Sequence, residues 1–208
     1  MSKKSWLSVM VMTGLACWGS SVVKAHDGED DKAEIGKKAP DFTLKSAKGE
    51  EVTLSSLKGK IVVLEWTSHQ CPFVKRHHLK SPTMRRVKAV LGPEDSVWLA
   101  IDSSYFCEEK VAEIRGFCEE AKIDHSYLLD PTGKVGKMYD AKTTPHMFVI
   151  DREGVLVYSG AIDDDKAGEK SMSESRNYVE EAGMALINGT EIKMSKTDPY
   201  GCSVKYKE

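Results

Sequence analysis

The stretch Glu65-Trp66-Thr67-Ser68-His69-Gln70-Cys71-Pro72-Phe73-Val74-Lys75 puts a cysteine where a strand should give way to a helix. Ile61-Val62-Val63-Leu64 is continuous, apolar and mostly β-branched, as a strand buried on both faces should be. Cys71 to Leu79 reads as helical. A thiol at a helix N-terminus meets unpaired N–H groups and the positive end of the macrodipole, and both favour the nucleophilic thiolate. Lys75, Arg76, His77 and His78 add positive potential within two turns. Ser68, three residues before Cys71, would face the sulfur with its hydroxyl or cap the helix. An inert, buried cysteine suits the same residues, and spacing alone does not separate the two readings.

The elements that must position this cysteine alternate between strand and helix. Asp41–Leu44 and Glu51–Leu54 form a first hairpin around Ala47-Lys48-Gly49. After the central strand, Ser81 as N-cap and Pro82 at the first helical position start a helix that Gly92-Pro93 ends. Ser96–Ile101 is a second buried strand. Glu108–Lys122 is helical, with Val111, Ile114, Phe117 and Cys118 on one face. Ser126–Leu129 is a short strand and Gly133–Tyr139 a short helix. His146–Ile150 and Val155–Tyr158 make a second hairpin, and Glu174–Ile187 is the last helix. This order predicts an α/β fold with a central mixed sheet, parallel in its middle and antiparallel at the second hairpin, flanked by helices and extended by an N-terminal β-hairpin.

Composition narrows the function classes. The chain has 208 residues, room for one domain with a full core. A formal net charge of −2 leaves no electrostatic footprint for nucleic acid. Residues 1–25 read as a signal peptide: Lys3 and Lys4, an apolar run of ~13 residues from Trp6, then Val23-Lys24-Ala25. That run is shorter than a membrane span, and no mature segment reaches ~18 apolar residues. Cleavage after Ala25 removes three lysines, takes the charge from −2 to −5, and leaves Cys71, Cys107, Cys118 and Cys202. The expected location is an oxidising one, a bacterial periplasm. Residues 26–38 read as a flexible charged leader.

The segment from the strand through Trp66 to Cys71-Pro72 resembles the active-site turn of thioredoxin-like proteins. Ala39-Pro40-Asp41-Phe42-Thr43-Leu44, Leu57-Lys58-Gly59-Lys60 and the strand after them resemble the alkyl hydroperoxide reductase/thiol-specific antioxidant (redoxin) family. Thr144-Pro145-His146-Met147-Phe148-Val149-Ile150-Asp151 is similar to that superfamily's Thr–cis-Pro segment, and residues 198–206 to the end of an exported bacterial subgroup with a Cys-Pro-Phe-Val-Lys motif. The resemblance implies a thioredoxin-like domain over residues 39–190 and a tail over 191–208. It implies a cis Pro145 opposite Cys71, with Trp66, Pro72, Thr144 and Pro145 shaping a substrate cleft. It implies thiol-dependent oxidoreduction of a peroxide or a protein disulfide, with an external dithiol as reductant. Two departures stand out. Ser68 replaces the first cysteine of Cys-x-x-Cys, and the arginine that peroxiredoxins place near Pro145 is missing; Arg76 is a candidate substitute.

With one sulfur left in the motif, the second must come from elsewhere. Cys202, next to Gly201, is the leading candidate, either resolving from a mobile tail or pinning that tail by a structural disulfide. Cys107 is an outside candidate and Cys118 reads as core. On one helix those two would lie roughly 16 Å apart, beyond disulfide reach. Glu65 reads as a solvated strand-end residue or a proton shuttle, His69, His77 and His78 as surface, and Asp163-Asp164-Asp165 as a solvated turn. No metal or cofactor is expected, since the spacing fits no standard zinc or calcium pattern. The alternative function is a non-catalytic binding or redox-sensing module of the same fold. A copper chaperone is a third reading, which lacks its expected pair of close cysteines.

Overall fold

The computed structural model describes residues 32–171 and 173–207. The expected signal peptide and the first part of the leader lie outside them. Seven strands form the main sheet in the order β2-β1-β5-β4-β3-β7-β8. They are β1 (Thr43–Ser46), β2 (Glu51–Thr53), β3 (Ile61–Trp66), β4 (Ser96–Asp102), β5 (Ser126–Leu129), β7 (His146–Ile150) and β8 (Leu156–Gly160). The central β3, β4 and β5 run parallel. The hairpin β1–β2 joins antiparallel through β5, and β7–β8 antiparallel through β3. Both edges are thus antiparallel, not only the second-hairpin edge. A separate two-stranded ribbon pairs β6 (Thr143–Thr144) with β9 (Cys202–Ser203).

Alternation along β3 divides the core. Val62, Leu64 and Trp66 pack with Phe148, Ile150 and Tyr139 on one face. Ile61 and Val63 turn to the other, against α2 (Thr83–Leu91) and α5 (Tyr178–Asn188) through Met84, Val87, Leu91, Val179 and Ala182. α3 (Val111–Glu120) lays Ile114 and Phe117 over a third cluster that includes Cys71, Val74 and Ala100. All six residues of β3 are buried, as its unbroken apolar pattern requires.

Several boundaries differ from expectation for local reasons. After α1 (Pro72–Lys75) the chain widens into a π turn over Arg76–Lys80, closed by Ser81 N–H to the Arg76 carbonyl at 2.8 Å. Ser81 does not cap α2: its hydroxyl pairs with Thr83 Oγ1 at 3.0 Å, and Pro82, at ψ 46°, stays outside the helix. A 3₁₀ turn over Cys107–Lys110 precedes α3. α4 spans Lys134–Met138. α5 starts at Tyr178, not Glu174, because Asn177 Oδ1 accepts the Glu180 N–H at 2.9 Å and supplies the cap. The described part of the leader is tied down: Ala33 N–H bonds Met138 O at 3.0 Å, and Gly36 N–H bonds Leu156 O at 2.8 Å.

The tail is packed, not free. Thr197 N–H bonds Ser159 O at 3.2 Å, and its hydroxyl meets Tyr158 Oη at 2.6 Å. Tyr200 and Val204 are buried, and Tyr206 Oη donates to Ala141 O at 2.7 Å.

Candidate functional site

The loop after β3 is held by backbone bonds. Thr67 N–H meets Ile101 O at 2.8 Å, and Cys71 N–H meets Ser68 O at 3.0 Å. These close a short turn that leaves Cys71 at the N-cap of α1, with Pro72 at the position where a missing N–H costs nothing. Ser68 therefore supplies its carbonyl to the turn, and the cap position belongs to Cys71 itself. Cys71 is 3% exposed, while Pro72 beside it lies open to solvent.

The cis Thr144–Pro145 peptide faces this turn. The Cys71 thiol donates to the Thr144 carbonyl at 2.9 Å. On the far side of β6 lies β9, in antiparallel register with Thr144 opposite Cys202. That register brings Cys202 Sγ to 3.1 Å from Cys71 Sγ across 131 residues of sequence. Gly201 makes the approach possible. Its φ is +144°, and a Cβ there would sit 2.1 Å from the Thr144 carbonyl oxygen.

The two sulfurs are electrostatically unlike. Burial raises the Cys71 thiol, but hydrogen bonds from the Thr144 hydroxyl, the Val74 N–H at the helix start, and Cys202 overcome it and leave Cys71 below its ordinary value. Cys202 is pushed up to about 11, by burial first and then by Cys71 itself. Cys71 is the thiol that ionises, and Cys202 holds its proton beside it. Cys107, fully buried, is pushed up to about 12 by burial and the Asp102 charge. Cys118, half-buried, is pushed up to about 11 by burial.

Other expected site residues fall elsewhere. Trp66 is in the core, not a cleft: it is 0% exposed, its ring lies 5.0 Å from Phe148 and 5.2 Å from Tyr139, and Nε1 donates to Ser103 Oγ at 3.0 Å. Position 66 faces that way because β3 alternates. Glu65, on the opposite face, is fully buried rather than solvated. Its carboxylate meets His78 Nε2 at 2.9 Å and Trp98 Nε1 at 3.0 Å. Burial opposes its charge, but the His78 imidazole and these bonds hold it down at about 2. His69, His77 and His78 are buried, not surface groups. Burial lowers His77 to about 4 in spite of nearby Asp163, so it is neutral and adds no positive potential at Cys71. Arg76 donates to Asp165 O at 2.8 Å and Lys166 O at 3.1 Å, and stacks on Phe73 and Tyr200. It braces the tail instead of serving as an arginine at the sulfur. Asp163 is buried and accepts the Tyr200 hydroxyl. Tyr200 and Thr197, which seat the tail, were not expected; an aromatic two residues before Cys202 in a mostly polar tail is the one sequence signal that could have found Tyr200, and Thr197 carries none. Among the described residues no cluster of three His, Cys, Asp or Glu has metal-binding geometry, and no helix is long and apolar enough to cross a membrane.

A buried cysteine at a strand-to-helix turn, facing a cis-proline segment, is a thioredoxin-like arrangement, and residues 34–175 match the Redoxin family. The chain belongs to the Redoxin family. The thiol-disulfide oxidoreductase ResA of Bacillus cereus is 22% identical over 171 residues, 82% of this chain and 90% of that protein. The thioredoxin-like protein YneN of Bacillus subtilis is 24% identical over 156 residues, 74% of this chain and 87% of that one. Among solved structures, an uncharacterized conserved protein from Geobacillus kaustophilus superposes with a TM-score of 0.72 at 30% identity, covering 84% of this chain and 93% of its own. Family and fold make this redoxin a thioredoxin-like thiol oxidoreductase.

Proposed function

We propose that this redoxin is an exported thiol-disulfide oxidoreductase in which Cys71 attacks and Cys202 resolves. The observation that carries this is the 3.1 Å approach of the two sulfurs, one lowered and one raised in pKa. The Cys71 thiolate attacks one sulfur of a substrate disulfide. The other substrate sulfur leaves as a thiolate and takes up a proton, and a mixed disulfide remains. Cys202 then loses its proton and attacks Cys71 Sγ, releasing the second substrate thiol. The substrate has gained two electrons and two protons, and Cys71–Cys202 is a disulfide. An external dithiol returns the pair to the reduced state. Pro72 and Pro145 border the sulfur, and the Thr144 carbonyl and hydroxyl position it.

A peroxide is a second oxidant that one observation favours. β9 already occupies the Thr144 edge, so an extended protein chain must displace it to pair there, whereas a peroxide need not. One peroxide oxygen would pass to the Cys71 sulfur as a sulfenic acid while the O–O bond breaks and the other oxygen leaves, protonated, as water or an alcohol; Cys202 would then attack that sulfur and release the first oxygen as water. Export rests on Lys3, Lys4, the apolar run and Ala25.

The test takes the fully reduced mature protein and adds one equivalent of a small disulfide, a protein disulfide or hydrogen peroxide. Quenching, alkylation and peptide mapping follow. The expected product is a Cys71–Cys202 disulfide. Cys202→Ser should trap Cys71 as a mixed disulfide or sulfenic acid, and Cys71→Ser should be silent. A wild-type Cys71 that stays reduced with all three oxidants sinks the reading and leaves a non-catalytic module.

A further inference from the structure

Oxidation joins the two sulfurs, and they are not equally open to whatever must reduce them. Cys71 is 3% exposed. The Thr144 carbonyl oxygen lies 2.9 Å from its sulfur, and Cys202 Sγ lies 3.1 Å from it. Cys202 is partly exposed, between Gly201, also partly exposed, and the exposed Ser203. The two-stranded ribbon explains the difference. β6 runs through cis Pro145 into β7 of the main sheet, so β9 is the outer strand and carries its sulfur on the solvent side of the turn.

The disulfide itself closes the other way in. Once Cys202 is bonded to Cys71, the residue opposite Thr144 is covalently tied to the turn, and the Thr144 edge stays covered by β9. A reducing chain then finds no free backbone edge beside Cys71, and the sulfur it meets is Cys202. Leaving-group chemistry favours the same sulfur. In thiol–disulfide exchange the sulfur that is not attacked departs as a thiolate, and the thiol of lower pKa departs faster. Burial raises Cys71, but the hydrogen bonds around its sulfur outweigh that and leave it below its ordinary value. Cys202 is pushed up to about 11, by burial first and then by Cys71. Attack at Cys202 expels the better anion, and attack at Cys71 the poorer one.

We propose that reduction enters through Cys202: the external dithiol attacks Cys202 Sγ and expels Cys71, so that substrate and reductant react at different sulfurs. This deepens the proposed function and rests on its Cys71–Cys202 disulfide. The first reductant thiol gives up its proton and bonds to Cys202 Sγ as the Cys71–Cys202 bond breaks. Cys71 leaves as a thiolate and takes up a proton. The reductant's second thiol gives up its proton and attacks the reductant sulfur of the mixed disulfide, and Cys202 leaves as a thiolate that is protonated in turn. The pair has gained two electrons and two protons, and the reductant departs as a disulfide. The reductant is thus recognised at the outer face of β9, and an extended protein substrate at the Thr144 edge that β9 uncovers.

The test starts from the mature wild-type protein, oxidised with hydrogen peroxide or a small disulfide and mapped for the Cys71–Cys202 bond. A protein that forms no such bond with either oxidant overturns the proposed function and this inference with it. One equivalent of a single-thiol probe is then added, glutathione in one arm and a thioredoxin that keeps only its attacking cysteine in the other. Neither probe carries a second thiol to complete the reduction. Acid quenching at short times removes the thiolates and stops exchange before the first mixed disulfide rearranges. Peptide mapping in acid then shows which sulfur carries the probe. Both probes should be found on Cys202, with Cys71 free, in at least about tenfold excess over adducts on Cys71 at the earliest times. Probe on Cys71, or an even split, overturns the inference and leaves the disulfide and the proposed function standing. A disulfide that neither probe opens overturns it as well.

Discussion

Gly201→Ala tests whether the strand pairing at Thr144 is what brings the second sulfur into reach. The added Cβ would lie 2.1 Å from the Thr144 carbonyl oxygen and 2.7 Å from its carbon. An ordinary C···O contact is about 3.3 Å, so the strands must separate by roughly 1 Å. Both sides are backbone, one of them the peptide leading into Pro145, so no side chain can rotate to absorb the clash. The φ of +144° adds strain on the order of 1–3 kcal/mol for a residue with a Cβ. The sulfurs, now 3.1 Å apart, would open to about 4 Å. A misplacement of about 1 Å in a reacting pair costs on the order of 100-fold in rate. The assay is rapid-quench alkylation after one equivalent of oxidant, following loss of free Cys71 and appearance of the Cys71–Cys202 bond as separate steps. The first step should keep its order, with Cys71 reacting before Cys202. The second should slow by about 100-fold. In the Cys202→Ser background, with hydrogen peroxide or a small disulfide as oxidant, the same alanine should leave the first step unchanged. Disulfide formation at the wild-type rate in a folded Gly201→Ala protein would refute the reasoning.

Three further outcomes follow from the buried polar groups. His77, His125 and His146 are each lowered from 6.5 to about 4, chiefly by burial, so the unfolded chain binds more protons between those values. Stability is therefore complete above pH 6.5 and is lost as pH falls toward 4, at about 3 kcal/mol per histidine. Urea unfolding across this window should show about three protons taken up per molecule near pH 5, and a flat profile would contradict the burial. Glu65, held at about 2, adds a loss of the same sign below pH 4.5. Tyr200→Phe deletes the hydroxyl that Asp163 and His77 share and should cost about 1–3 kcal/mol with an unchanged urea m-value. It should also raise the rate at which protease clips the tail; equal rates would show that Tyr200 is not its anchor. In the native protein at pH 7, iodoacetamide should modify Cys71 well before Cys107 and Cys118, whose thiols are pushed up to about 12 and 11. Peptide mapping of a short time course decides it.

The parts of the site legible in the sequence were those set by local rules. Four apolar, mostly β-branched residues before a Cys-Pro can hardly be other than a buried strand feeding a helix, and β3 and α1 are that. Glu65 misled because a charged residue after an apolar run is usually at a solvated end. Here β3 runs on through Trp66 and carries both residues inside, where His78, thirteen positions later, meets the carboxylate. No window of sequence holds that pair. The same limit hid the start of α5: the Ser- and Glu-containing residues before it look helical, but only Asn177 has an oxygen placed to receive the Glu180 N–H. The tail was harder still. Its residues have no 2- or 3.6-residue period because each contact goes to a different element: Thr197 to β8, Tyr200 to the π turn, Val204 N–H to Lys142 O.

Moving the second sulfur from the turn to the tail changes what controls it. In a Cys-x-x-Cys turn the two sulfurs share one helical turn, and only unfolding that turn parts them. Here Ser68 stands at the first position, and the partner arrives on a strand of two residues whose seating depends on Thr197, Tyr200, Val204 and Tyr206. Its local concentration at Cys71 scales with the fraction of molecules in which that strand is docked. Undocking exposes Tyr200 and Val204 and takes Tyr206 and Cys202 off the clusters they pack against, far less apolar surface than unfolding the sheet exposes. The same step that removes Cys202 also frees the Thr144 edge for an incoming extended chain. In the mechanism we propose, resolution by Cys202 and access to that edge are mutually exclusive states of one segment, and each mutation that loosens the tail should slow disulfide closure while quickening reaction of Cys71 with protein disulfides. Opposite changes in those two rates across Thr197, Tyr200 and Val204 variants would mark that exchange, and parallel changes would show that β9 and the incoming chain do not compete.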